Sequence, residues 1–231
     1  MKVDIGIIGA MAPEVEGLIS RLENRELKLV SGVSIYSGEL LGKRVAVAQC
    51  GVGKVFAAIC AEAMILNFSP DLLVNTGVGG ALASGLCTGD VVIASTLCQH
   101  DMDTSPIGDP VGLISGINKI YFDADERAVK ILSESASELG LSARVGRVAT
   151  GDRFVASPAD KENIRTSFSA DACEMEGGAI AQVAFVNETP FAVVRAISDS
   201  ADGEATMDYP TFLPLAAKNS TNLTLSLIEK W

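Results

Sequence analysis

The feature that most constrains this chain is a set of short apolar segments, each stopping abruptly at a glycine, a turn or a charged residue. Segments 3–9, 34–39, 44–49, 71–76, 90–95, 144–150 and 191–198 read as strands, and several are apolar on consecutive rather than alternate residues. A strand covered on one face alternates; one covered on both faces does not need to. Helical patterns fall between them. After Pro13, residues Val15, Leu18, Ile19 and Leu22 recur at helical spacing, and Pro13 suits the helix start, where its missing N–H costs nothing. Further helices are predicted over 54–66, 125–139, 179–186 and 211–230; the second carries Ala128, Ile131, Leu132, Ser135 and Leu139 on one stripe and meets Gly140 as a stop. This alternation predicts an α/β chain. It is expected to form a single domain over 1–231, with a central mixed, mostly parallel twisted sheet flanked by helices in three layers. The least regular stretch, 100–119, holds Pro106, Pro110 and several glycines and reads as a long loop, a feature that in compact domains is often functional.

Composition narrows the chemistry. Hydrophobic residues make up 48% of the 231, yet no apolar run reaches the ~20 residues of a membrane span. The N-terminus is too quickly charged, at Asp4 and Glu14, for a secretory signal, so a cytoplasmic location is expected. A net charge of −11 with no Lys/Arg cluster argues against nucleic-acid partners. Cys50, Cys60, Cys87, Cys98 and Cys173 are odd in number and never paired as CxxC, which disfavours disulfides and zinc and predicts small buried hydrophobes. His100 is the one histidine and no GxSxG elbow is present, so acid–base work must fall mainly on carboxylates.

In open α/β sheets, ligands gather beyond the carboxyl ends of the strands. Five segments there carry chemistry. Gly9-Ala10-Met11-Ala12-Pro13-Glu14 puts an acid in the first turn of a helix, where a dipole-stabilising Glu has the same pattern. Gly51-Val52-Gly53-Lys54 is neither a P-loop nor GxGxxG, and two glycines before a helix also serve plain packing. Asn75-Thr76-Gly77-Val78-Gly79-Gly80 exposes backbone to a ligand, or makes a simple turn. Glu174-Met175-Glu176-Gly177-Gly178 sets two carboxylates amid apolar chain; solvated helix-start acids are the alternative. Finally, Arg195 inside an apolar strand needs a carboxylate partner, and Asp199 ends that strand as a ligand-facing acid or a cap.

At these residues the chain resembles the 5′-methylthioadenosine/S-adenosylhomocysteine nucleosidases of the purine nucleoside phosphorylase superfamily. The matching segments are Ile7–Met11 followed by Glu14, then 51–55, 75–77, 150–152 followed by Phe154, 174–176 and 194–199, in family order and over nearly the whole chain. The resemblance implies a nucleoside phosphorylase/hydrolase-like fold and hydrolysis of methylthioadenosine and S-adenosylhomocysteine to adenine and a thioribosyl sugar, with 5′-deoxyadenosine as a further substrate, in methionine salvage. It implies no cofactor and no metal. By position, Glu14 resembles the residue that activates water. Asp199 resembles the acid that protonates adenine N7, with Ser198 orienting it. Glu176 resembles the ligand of the ribose hydroxyls, with Met175 beneath the sugar and Glu174 in the same motif; Phe154 and the Val155 backbone resemble the adenine contacts. Met11 and Arg195 line or orient the site. The resemblance also implies a homodimer in which the stretch from His100 to Pro110 closes the partner's 5′-substituent pocket.

The chain departs from the family at Val78, where Ser is frequent, at Gly79, where Ala is, and at Tyr209, where an aromatic lid residue is often Phe. Segment 105–109 also lacks aromatics found in some members. These departures bear on the 5′-substituent and leave aminodeoxyfutalosine as an alternative substrate. A phosphorylase is the other alternative, but it needs cations at the nucleophile site, and Glu14 would repel phosphate.

Overall fold

The computed structural model describes residues 2–202 and 204–231, the side chain of Met207 excepted. The chain opens with β1 (Ile5–Gly9) and α1 (Ala12–Ile19), then an antiparallel run of β2 (Glu23–Val30), β3 (Val33–Leu40) and β4 (Lys43–Gln49). Next come α2 (Lys54–Phe68), β5 (Leu72–Ala81), β6 (Val91–Gln99), the short β7 (Phe122–Asp123), α3 (Glu126–Glu138) and β8 (Ala143–Thr150). The remainder is α4 (Pro158–Phe168), β9 (Ala172–Glu174), α5 (Gly177–Val186), β10 (Phe191–Asp199) and α6 (Ala205–Lys230).

These elements form one α/β domain around a mixed sheet. Parallel pairings join β1 to β4 and β5, β10 to β5, and β8 to β6 and β9. The remaining pairings, β2–β3, β3–β4, β10–β6, β5–β9 and β6–β7, are antiparallel. The ladder β5–β10–β6–β8–β9 returns to β5, so these five strands form a closed circuit with β1–β4 as an open extension. Helices cover both faces. α2 and α5 pack into one apolar cluster with Ile8, Ala48 and Val193; α1, α3 and α6 pack into another with Ile7, Val47 and Val194. Neighbouring residues of one strand thus feed opposite cores, which is why the strands are apolar without alternation. Among the described residues no helix is long and apolar enough to cross a membrane.

Several expectations need correction. Segment 71–76 does not stop before the glycines: β5 runs on to Ala81, because β10 pairs along it and β9 closes its end. β2, α4 and β9 carry no strong apolar signal and were not foreseen; β2 is almost wholly exposed. α1 ends at Ile19, before Leu22. α6 begins at Ala205 rather than 211 and runs through Pro210 and Pro214. Stretch 100–119 is mainly irregular, with one short 3₁₀ turn (Ser105–Ile107) and a bridge between Ile114 and Lys119. Four of the five cysteines are buried, whereas Cys87 is exposed.

Candidate active site

Two helix starts supply the first buried acids. Glu14 sits in the first turn of α1, and its carboxylate accepts the amides of Ala10 (2.7 Å), Met11 (2.9 Å) and, from β5, Val78 (3.1 Å). These donors hold the side chain back over the end of β1. The approach is so close that a Cβ on Gly77 would lie 2.5 Å from Glu14 Oε1, so any other residue there would have to displace the carboxylate. Burial raises the pKa of Glu14 above the ordinary carboxylate value, against the pull of Arg195 and the three amides. At α5, Glu174 plays the same structural part: it accepts the amides of Glu176 (2.9 Å) and Gly177 (2.6 Å).

Arg195 is the cation that makes this density of acids tolerable. It is 1% exposed, and its Nη2 donates to Glu174 (2.5 Å) and to Asn75 Oδ1, and lies 3.8 Å from Glu176. Glu174 also accepts from Thr150 Oγ1. Burial alone would raise its pKa, but Arg195 and these donors hold it below the usual value. Glu176 has the opposite balance. Burial and the neighbouring Glu174 charge push its pKa up to about 7, and the one hydrogen bond to its carboxylate among the described residues comes from the Gly53 amide (2.9 Å).

Asp199 ends β10 opposite Gly80 of β5. It is 3% exposed; Oδ2 accepts from Ser198 Oγ (2.9 Å) and Oδ1 from the Ala201 amide (2.9 Å). Its pKa is raised, first by burial and then by Asp208 and Asp202. Desolvation dominates, and the acids that add to it are Asp202, just before α6, and Asp208, in its first turn. Tyr209 of α6 donates to Met11 Sδ (3.1 Å) and meets Phe154 edge-to-face at 5.5 Å. Its own pKa is raised by burial and then by Glu14, Asp199 and Glu176, which line the same space as Tyr209.

That space is a cavity of about 340 Å³, within the range of small-ligand sites. Met11, Glu14, Val78, Gly79, Phe154, Val155, Glu174, Met175, Glu176, Ser198, Asp199 and Tyr209 all line it. Arg195 does not. It lies behind Glu174 and Glu176, where it supports and orients the acids rather than lining the cavity. Glu174, likewise, spends both oxygens on protein donors. Val78 takes part through its amide, so a change of side chain there leaves the hold on Glu14 intact. The cavity also includes Ala10, Val52, Gly80, Arg153, Cys173 and Thr206, which the sequence reading passed over. All but Thr206 adjoin or belong to a motif and could have been included; Thr206 lies in the part of α6 hidden by Pro210. Among the described residues of the lining Arg153 is the one cation, and it is paired with Asp160. The Cys173 thiol is pushed up to about 12 by burial and neighbouring acids, which keeps it un-ionised.

The phosphorylase superfamily model matches residues 4–229. A curated 5′-methylthioadenosine/S-adenosylhomocysteine nucleosidase of Haemophilus influenzae (strain PittGG) is 40% identical over 227 residues, 98% of this chain and 99% of that one. The chain belongs to this nucleosidase family. Its fold agrees with that of the nucleosidase from Neisseria meningitidis, solved in complex with methylthio-immucillin-A: TM-score 0.95 and 37% identity over 98% of this chain and 99% of that one. A family relative of different description, the futalosine hydrolase of Helicobacter pylori, has a TM-score of 0.94 and 33% identity over 98% of this chain and 97% of that one.

Proposed function

We propose that this chain, as a single catalytic domain over 1–231, hydrolyses the N-glycosidic bond of 5′-methylthioadenosine and S-adenosylhomocysteine. The products are adenine and the 5-thioribosyl sugar. The observation that carries the reading is a pair of buried acids, Glu14 and Asp199, in one cavity, each anchored to a different point of β5. Glu14 is tied to Val78 and Asp199 pairs with Gly80. Two residues of strand separate these anchors by roughly 7 Å. A glycosidic bond fits between them, with an acid on the base side and a water-holding carboxylate on the sugar side.

Adenine leaves poorly as an anion, so protonation at N7 opens the reaction. Asp199 supplies that proton: burial favours its neutral form, and Ser198 orients the carboxyl. As the bond breaks, the ribose becomes cation-like, and the acidic wall of Glu14 and Glu176 stabilises it. Glu14 then takes a proton from the attacking water. The division of labour parallels that of glycosidases. Glu176 grips the ribose hydroxyls above Met175, while Phe154, Val155 and Tyr209 enclose the base and its 5′ neighbour.

Water rather than phosphate is the nucleophile in this reading. The described residues of the lining include one cation, Arg153, already held by Asp160, against several acids. Adenine release assayed with and without phosphate tests it: unchanged rates and a free sugar are expected, whereas strict phosphate dependence with a sugar phosphate product overturns it. The likeness to futalosine hydrolase supports a second reading of substrate range, toward aminodeoxyfutalosine, and 5′-deoxyadenosine is a further member; relative kcat/KM values decide the order. A cytoplasmic homodimer belongs to the same proposal, supported by exposed Val55 and Phe56 on α2 and by Ile107, 83% exposed, on the 100–110 segment.

A further inference from the structure

The glycine pair before α2 has no role in the reaction as described, yet it holds the sugar-binding carboxylate. Gly53 has φ +102°, a conformation other residues rarely adopt, and its amide donates to Glu176 Oε1 (2.9 Å). Because glycine occupies the start of α2, no side chain of its own caps the helix. The cap comes from afar: the Lys54 amide donates to Asp152 Oδ1 (2.7 Å). Asp152 is in turn held through its own amide, which donates to Asp101 Oδ2 (2.9 Å). Asp101 Oδ1 closes the ring by accepting from Lys54 Nζ (2.6 Å). The pair is partly exposed, with 19% of the Lys54 side chain and 25% of the Asp101 side chain open to solvent, so solvent screens it in part.

We infer that Asp101 is a positioning residue for the nucleoside's sugar: through Lys54 and Asp152 it fixes the Gly53 amide, and that amide aims Glu176. The ring consists of three residues far apart in sequence, one at the start of α2, one beyond β6 and one beyond β8. Each is immobilised by the other two. Glu176 depends on it because the Gly53 amide is the one hydrogen-bond donor to its carboxylate among the described residues, with Arg195 at 3.8 Å. The ring also fixes the backbone two residues before Phe154, so the adenine side of the cavity shares the same anchor.

The inference rests on Glu176 binding the ribose hydroxyls, and the test separates the two. KM and kcat are measured for wild type, Asp101→Asn and Glu176→Gln with methylthioadenosine and with its 2′- and 3′-deoxy analogues. The expected result is a wild type that disfavours at least one deoxy analogue. Asp101→Asn then raises KM about tenfold for the full substrate with kcat within about threefold, and raises KM for that analogue by less than about threefold. Lys54→Met reads the same contact from the other side and carries the test if Asp101→Asn does not fold. The variant that combines Asp101→Asn with Glu176→Gln is expected to be no worse than the poorer single one. An equal KM rise on both substrates, or a fall in kcat alone, overturns the inference and leaves the role of Glu176 standing. A wild type indifferent to both hydroxyls overturns the ribose reading, and the inference with it.

Discussion

Along β2, at the outer edge of the sheet, Leu27 and Leu29 are 60% and 70% exposed; along β10, inside the closed circuit, all nine residues are buried, Arg195 and Asp199 among them. The edge strand exposes apolar side chains, and the interior strand buries charges. Exposed leucines cost little. A buried charge costs several kcal/mol unless partners are built around it. β10 has them: Glu174, Glu176 and Asn75 for Arg195, Ser198 and the Ala201 amide for Asp199. Expense without structural need marks the working part of the sheet.

The sharpest way to break this contrast is Asp199→Asn. It keeps the shape of the site and removes the proton. We expect kcat to fall roughly 10²–10⁴-fold with nucleoside binding retained, read by steady-state kinetics and equilibrium binding. An unchanged rate assigns Asp199 another role. Next in size is Arg195→Met, which strands Glu174 in the interior and should cost about 3–5 kcal/mol in denaturant unfolding. A loss below about 1 kcal/mol would put β10 on the same footing as the edge.

A smaller effect is pH-dependent. The pKa of Glu176 rises on folding from its ordinary 4.5 to about 7. Between those values the folded state holds a proton that the unfolded state has released, so this group's contribution to stability falls as pH rises through that window. Glu176→Gln should flatten that part of the pH–stability curve; an unaltered slope would mean Glu176 ionises normally. The smallest effect is expected at the edge: Leu27→Ser should shift stability by no more than about 0.5 kcal/mol and leave kcat/KM alone, whereas a larger loss would show that β2 is covered in solution.

The same contrast explains what the sequence made legible. β1, β4 and β10 announce themselves because both faces of their central residues are covered, which makes consecutive positions apolar. The site acids stand out because a carboxylate at the end of such a strand has few structural uses. β2 reads Glu-Asn-Arg-Glu-Leu-Lys-Leu-Val and is held mainly by backbone pairing to β3, which leaves no hydrophobic trace. Segment 77–81 looks like a glycine turn, since sequence cannot show that β10 and β9 will pair with it. Pro210 and Pro214 hide the first turns of α6, and with them Thr206. The need of Arg195 for a carboxylate was legible, but its choice of Glu174 depends on β9, a three-residue strand that pairing alone creates. The clasp of Lys54, Asp101 and Asp152 is wholly tertiary.

The central claim is that Asp199 delivers a proton to N7 of the base. The most direct measurement is turnover of a methylthioadenosine analogue carrying carbon in place of N7. The analogue should bind in the cavity and resist hydrolysis, and Asp199→Asn should change its negligible rate little. Release of its base at a rate near that of methylthioadenosine would contradict the account.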